Sequence, residues 1–216
     1  GRAWQRVAQE VFTALERRAY GASRLRRVIA VSLGTARDIV EYYGVDSGKV
    51  KVVPNGVDLA RFAPATSAEA KASLRQRLGL PPDRLLAVFI GGDWRRKGVD
   101  DAVRACAGLA NVTLVVVGTG DIAAVTRLAA RESASVLCVG QTTEPESYCA
   151  AADVFVYPTR YETFGMGALE GAAAGLPVVS YRVHGVEDRV VDGVNGWTVP
   201  HLPEALRDKL CYLEAN

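Results

Sequence analysis

In PTRYETFGMGALEGAAAGLPVV, residues 158–179, two carboxylates flank a glycine-bearing turn that opens an alanine-rich segment. Seven residues separate Glu162 from Glu170, and Phe164, Gly165, Met166 and Gly167 lie between them. This pattern suits a phosphorylated ligand. A helix that starts near Gly165 offers free backbone N–H groups and the positive end of its dipole to an anion. Glu170, a turn or more inside that helix, can accept from a pair of neighbouring hydroxyls such as those of a ribose. Glu162, in the loop before it, then faces the sugar side. A second group, GGDWRRKG at 91–98, places Arg95, Arg96 and Lys97 just after Gly91 and Gly92. Bare backbone permits close approach and the cations supply charge for a phosphate or diphosphate. Gly118 and Gly120 in GTGD add more open backbone.

Each feature also has an ordinary structural reading. GTGD can be a tight strand-to-helix turn with Asp121 as the N-cap. WRRKG can be a solvated basic loop. Glu162 can be first-turn helix chemistry, Glu170 a surface residue and His184 a polar loop residue. What favours a site is where they all fall.

That placement follows from the elements. Apolar runs VIAVS (28–32), KVKVV (49–53), LLAVFI (85–90), VTLVVV (112–117), SVLCV (135–139), DVFVY (153–157) and PVVSY (177–181) recur along the chain. They barely alternate with polar residues, so they predict strands buried on both faces of a parallel sheet. Between them, residues 67–83, 99–110, 122–133 and 167–175 have helical character, the first with Ser67 as its N-cap. This is an α/β, doubly wound, Rossmann-like plan. In such a sheet ligands bind outside the carboxyl ends of the strands. GGDWRRKG, GTGD, GQTT, PTRYETFGMG and RVHGVED all follow strands there, so five loops are expected to converge on one crevice.

The chain divides into a segment over 1–64, with two strands around an arginine-rich helix and a turn-rich linker VVPNGVDLARFAP, a compact domain over 65–200, and a helix over 201–216. A net charge of +2 is too mild for nucleic acid. No apolar stretch reaches the roughly 18 residues of a membrane span, and the charged N-terminus is unlike a signal peptide, so a soluble, cytoplasmic chain is expected. Cys106, Cys138, Cys149 and Cys211 form no CxxC pair, and only His184 and His201 supply imidazoles. Neither a disulfide frame nor a zinc site is expected.

The ordered motifs VIAVS, VVPNGVDLARF, FIGGDWRRKGVDDAV, LVVVGTGD, ESYCAAADVFVYPTRYETFGMGALEGAAAGLPVV and VVDGVNGWTV resemble the GT-B retaining glycosyltransferases of family 4, the glycosyl transferases group 1, over about residues 28–200. The resemblance implies transfer of a sugar from a UDP-, GDP- or ADP-sugar to an acceptor with retention. It implies that Arg96 and Lys97 contact the donor diphosphate, Glu170 the ribose and Glu162 the transferred sugar. Backbone groups of Phe164, Gly165 and Met166 would cradle the distal phosphate, and the loop from Val139 through Gln141 to Thr142 would border the base. No Asp-x-Asp metal-binding pattern occurs, so no metal or other cofactor is expected and protein cations stabilise the leaving diphosphate.

The chain departs from the family at Gly91-Gly92, where a Gly-Arg is usual, so Arg95 would have to replace one cation. It departs again at His184-Gly185, where the family has Gly-Gly, with Asp188 at the position of a glutamate. The resemblance implies that whole members carry an N-terminal acceptor domain, and residues 1 to about 54 are expected to be its tail. That domain is expected to pack against the donor crevice and to carry any peripheral membrane contact. The alternative reading is a non-catalytic nucleotide-sugar binding module or partner subunit. A glycoside hydrolase with Glu162 and Glu170 as its acid pair fits less well, because the loops are built for phosphate, and GTGDIAA lacks the third glycine of a dehydrogenase fingerprint.

Overall fold

The computed structural model describes residues 2–216; Gly1, the first residue of the expected N-terminal segment, lies outside the described residues. Two compact units are present, one ending at Asn55 and the other Gly56–Asn216. The division falls earlier than the predicted boundary after residue 64. Val57 and Phe62 pack into the core of the larger unit, which draws the linker into it.

The smaller unit holds α1 (Arg2–Tyr20), β1 (Val28–Ala30), α2 (Leu33–Tyr43) and β2 (Val50–Val52). β1 and β2 pair in parallel, Val28 opposite Val50. Ser32 caps α2 by accepting from the Thr35 N–H at 3.1 Å, and Gly44 ends the helix in the left-handed conformation at φ 64°. Val28, Ala30, Ile39 and Val45 form the unit's core. The arginine-rich helix expected between the strands is a correction: α2 carries only Arg37, whereas Arg6, Arg17 and Arg18 lie on α1, ahead of both strands.

The larger unit is a six-stranded parallel sheet built from β3 (Leu85–Ile90), β4 (Val112–Val117), β5 (Val136–Gly140), β6 (Val154–Tyr157), β7 (Val178–Tyr181) and β8 (Gly196–Val199). Its order is β5-β4-β3-β6-β7-β8. The chain therefore runs outward from β3 to one edge, crosses back beside β3, and runs outward to the other. α3 (Ala68–Arg77), α4 (Trp94–Lys97), α5 (Val99–Ala105), α6 (Ile122–Glu132), α7 (Pro145–Ala151), α8 (Met166–Ala173) and α9 (Pro203–Ala215) complete it. All of β4, β6 and β7 is buried, as their unbroken apolar runs predict. α9 is part of this unit, because Leu206 and Leu210 on it are fully buried. Each contributes about 1.5–3 kcal/mol of apolar burial.

Several elements were not read from the sequence, α1, α4, β8 and α7 among them. β8 is GWTV, a short run without the β-branched density of the others, and it closes the edge by pairing with β7 from Val178↔Gly196 to Tyr181↔Val199. α7 spans PESYCAA, too short for a clear period, with proline at its start. At the amino ends of the central strands, Asp153 ties α3 to β3. Its carboxylate accepts from Arg75 and Lys71, both at 2.7 Å, and from the Leu86 N–H at 2.7 Å.

Candidate active site

The crossover puts the carboxyl ends of β3 and β6 side by side, which is the switch point where open α/β sheets bind ligands. The loop after β3 carries Arg96 and Lys97, and the loop after β6 carries Glu162. Lys97 Nζ donates to the Tyr157 hydroxyl at 2.5 Å and also to Glu162 Oε1. The same Glu162 oxygen accepts from the Tyr157 hydroxyl at 2.7 Å and from the Thr159 hydroxyl at 3.2 Å. Arg96 Nη1 lies 3.7 Å from Glu162 Oε1 and donates to the Tyr161 carbonyl at 3.1 Å. The side chains of Lys97 and Glu162 are only 14% and 10% exposed, so the pair is held largely out of water. Burial, reinforced by the Glu162 charge and hydrogen bond, pushes the Tyr157 phenol far above its usual range, so it remains a donor.

Local sequence explains the cluster. α4 is a single turn, capped at its start by Asp93 and ended by Gly98. Gly98 has φ 75°, and a Cβ there would lie 2.1 Å from the Pro158 carbonyl oxygen. Only glycine permits both the left-handed turn and the contact between the two loops. Asp93 itself adopts a left-handed φ of 47°.

The glycines of GTGD have a packing role. A Cβ on Gly120 would meet the Trp94 ring at 2.1 Å, and one on Gly118 would meet the Gly91 carbonyl oxygen at 2.0 Å. Asp121 caps α6, accepting from the Ala124 N–H at 2.9 Å. This is a tight strand-to-helix turn, and its glycines let Trp94 and the β3 loop close down.

α8 starts at Met166 behind Gly165, an N-cap residue with no side chain to cap it, and its first-turn N–H groups have no partner within the helix. Phe164 just before it is buried, its ring 3.6 Å from the Arg189 guanidinium carbon and its carbonyl accepting from Arg189 at 3.2 Å. Met166 is exposed at the helix start. Glu170 is half-buried on α8. Burial raises its carboxyl above the usual range, opposed by the charges of Arg61 and Lys97. Arg61 is fixed nearby by the Glu146 carboxylate at 2.9 Å and the Thr143 carbonyl at 3.3 Å, on the segment after β5. There Gln141 is exposed and Val139 packs partly into the core.

Arg96, Lys97 and Glu162 are thus gathered into one centre, with Gly91 beside the Lys97 stem. Arg95 diverges: it lines a separate hollow of ≈ 390 Å³ with Asp93, Thr119 and Asp121. A hollow of ≈ 430 Å³ is lined by Arg160, Arg182, His184 and His201. Glu162 itself lines this second hollow. The sequence reading did not single out Tyr157, Thr159, Arg160 or Arg61. A tyrosine ending an apolar strand was the one available signal. Among the described residues no group of three or more His, Cys, Asp or Glu side chains is placed to hold a metal, and no helix is long and apolar enough to cross a membrane.

A doubly wound sheet with a cation–carboxylate centre at its switch point defines a Rossmann-like ligand-binding domain. Comparison with known proteins makes it specific. The family described as glycosyl transferases group 1 matches residues 84–216, and one described as glycosyltransferase family 4 matches residues 2–61. The chain belongs to the group 1 glycosyl transferases. A D-inositol 3-phosphate glycosyltransferase of Xylanimonas cellulosilytica is 38% identical over 202 residues, covering 88% of this chain and 48% of that protein. The chain spans about half the length of the curated relatives it matches. Among solved structures, WaaG, a glycosyltransferase involved in lipopolysaccharide biosynthesis, superposes with a TM-score of 0.84 at 23% identity, over 95% of this chain and 58% of that one. Anabaena HepE in complex with UDP-glucose gives a TM-score of 0.73 at 23% identity, over 87% of this chain and 53% of that one. These two likenesses establish a shared GT-B fold.

Proposed function

We propose that the chain is the donor-binding part of a glycosyltransferase that moves a sugar from a nucleoside-diphosphate sugar to an acceptor with retention of configuration. The observation that carries this is the Arg96–Lys97–Glu162 centre at the β3/β6 switch point, beside the start of α8 behind Gly165. The diphosphate lies between the two cations and the N–H groups of Gly165 and Met166. As the bond from the anomeric carbon to the diphosphate oxygen breaks, the electron pair leaves with the phosphate, and these fixed donors stabilise the developing charge. No metal takes part in this reading. Glu170 accepts from the ribose hydroxyls, and Glu162 orients the transferred sugar. The base is bordered by the segment from Val139 through Gln141. HepE, of the same fold, binds UDP-glucose, which favours a UDP-sugar among the three nucleotide classes. The acceptor is held by the remainder of the N-terminal domain.

A thermal-shift panel of UDP, GDP, ADP and their glucose, mannose and N-acetylglucosamine conjugates tests the donor site. A true donor at a hundred times its dissociation constant stabilises by about 2.7 kcal/mol. A folded chain that responds to no nucleotide rejects the reading.

A further inference from the structure

α4 is one turn long, far too short to be stable by itself, yet it carries both cations of the proposed diphosphate site. Its fastening comes from elsewhere in the chain. The Arg160 backbone N–H donates to the Arg96 carbonyl at 3.1 Å, and Arg160 Nη1 donates to the Arg95 carbonyl at 2.9 Å. These are carbonyls at the end of the turn, which its own hydrogen bonding leaves open. The guanidinium also places a positive charge at a helix C-terminus, where the dipole favours it. A third contact fixes Arg160 itself: its Nη2 lies 3.1 Å from Asp101 Oδ2, on a carboxylate only 12% exposed whose other oxygen accepts from Arg104 at 3.1 Å. In the reverse direction Arg96 Nη1 donates to the Tyr161 carbonyl at 3.1 Å. The loop that bears Glu162 and the turn that bears Arg96 and Lys97 therefore hold each other, with Arg160 supplying the cap.

We infer that Arg160 is a positioning residue that caps the 94–97 turn from the neighbouring loop and keeps Arg96 and Lys97 aimed at the diphosphate, with Asp101 as its anchor. The inference rests on the donor reading above for its ligand, but not for the hold on the turn. Arg160 need not touch the nucleotide. Its loss should be felt by a diphosphate and not by the nucleoside end, where Glu170 acts.

The test uses the full chain with Arg160→Gln, Arg160→Lys and Asp101→Asn. Hydrogen exchange reads the turn without any ligand, and calorimetric titration compares UDP, GDP and ADP with the corresponding monophosphates. In Arg160→Gln, amides of residues 95–98 should exchange at least about tenfold faster while those of β3 and β6 stay as they are. Affinity for the bound diphosphate should fall by about ten- to a hundredfold, the range for lost hydrogen bonds to a charged group. The monophosphate should change by less than about twofold. Arg160→Lys, which can keep one of the side-chain contacts, and Asp101→Asn should both be intermediate. Unchanged exchange at 95–98 overturns the assignment whatever the nucleotides do. So does an equal loss for mono- and diphosphate, which would mark a general loosening. If exchange responds but wild-type protein binds no nucleotide, the donor reading falls, and Arg160 is then only a fastening of the fold, which also overturns its place in the site.

Discussion

Lys97 and Glu162 stand 65 positions apart in the chain and meet as a buried ion pair across the gap between β3 and β6. Each completes the other's surroundings. Lys97 also donates to Tyr157, and Glu162 also accepts from Tyr157 and Thr159, so neither charge is left bare when water is excluded.

Removing one partner should therefore show in stability as well as in binding. Lys97→Ala leaves a mostly buried carboxylate with two neutral donors and the Arg96 guanidinium at 3.7 Å, and the chain should lose about 2 kcal/mol in urea unfolding. Its affinity for the nucleoside diphosphate should fall by more than about tenfold. Glu162→Gln keeps the shape and should lose less, about 1–2 kcal/mol. A Lys97→Ala chain with unchanged stability would mean the pair is not held in solution.

Glu170 should show opposite effects on stability and on ligand. Burial raises its carboxyl pKa above 4.5, so its contribution to stability is full below that value and is lost as pH rises through the folded value. At neutral pH the ionised group is thus a liability, and Glu170→Gln should raise the melting temperature of the free chain. The same change should weaken nucleotide binding by about tenfold, since a ribose needs the acceptor. Titrations against pH should show wild-type affinity falling on the acid side at a pH above 4.5. A melting temperature that drops in Glu170→Gln would contradict the burial argument.

Asp153 should behave in the reverse sense. Burial raises its pKa, but the Leu86 N–H, Lys71 and Arg75 outweigh that and hold it below 3.8. A depressed carboxylate contributes stability that is present above its unfolded pKa and is lost as pH falls through the folded value. Asp153→Asn should cost about 3 kcal/mol at pH 7, because Arg75 is left buried without its carboxylate. The difference between wild type and variant should shrink below about pH 4. A gap that persists in acid would assign the loss to packing and not to charge.

Gly98→Ala tests the contact between the two loops. The left-handed φ costs about 1–2 kcal/mol, and the Pro158 carbonyl must move as well. Far less damage is expected from Gly44→Ala, where φ is 64° but nothing lies within 4 Å of the added carbon. Similar losses at the two positions would remove the steric part of the argument.

Much of the larger unit was legible because its central strands are buried on both faces and so read as unbroken apolar runs. Leu85–Ile90 and Val112–Val117 appear at the predicted residues. β8 escaped because an edge strand of four residues beginning with glycine has neither length nor pattern. The cations and acids of the site were visible as residue types, and the parallel plan placed them on one sheet edge. Their partners were not. Tyr157 looks like one more strand residue, and Arg160 looks like a loop cation, until the β3/β6 neighbourhood is known. Which residues meet across a sheet depends on strand order, and strand order is not written in any local stretch. Nor could any local stretch show that Arg95 lines a hollow with Thr119 and Asp121, from the loop after β4.

The side-by-side arrangement of β3 and β6 also has a kinetic meaning. β4, α6, β5 and α7 all lie in the chain between the two halves of the centre. Closing that span costs loop entropy before Lys97 can find Glu162, so the centre should form late, after the local structure of the intervening crossover. A ligand that grips both loops adds nothing to early, local structure. It selects chains whose topology is already complete, so recovery of binding on refolding marks the end of assembly and not its nucleus.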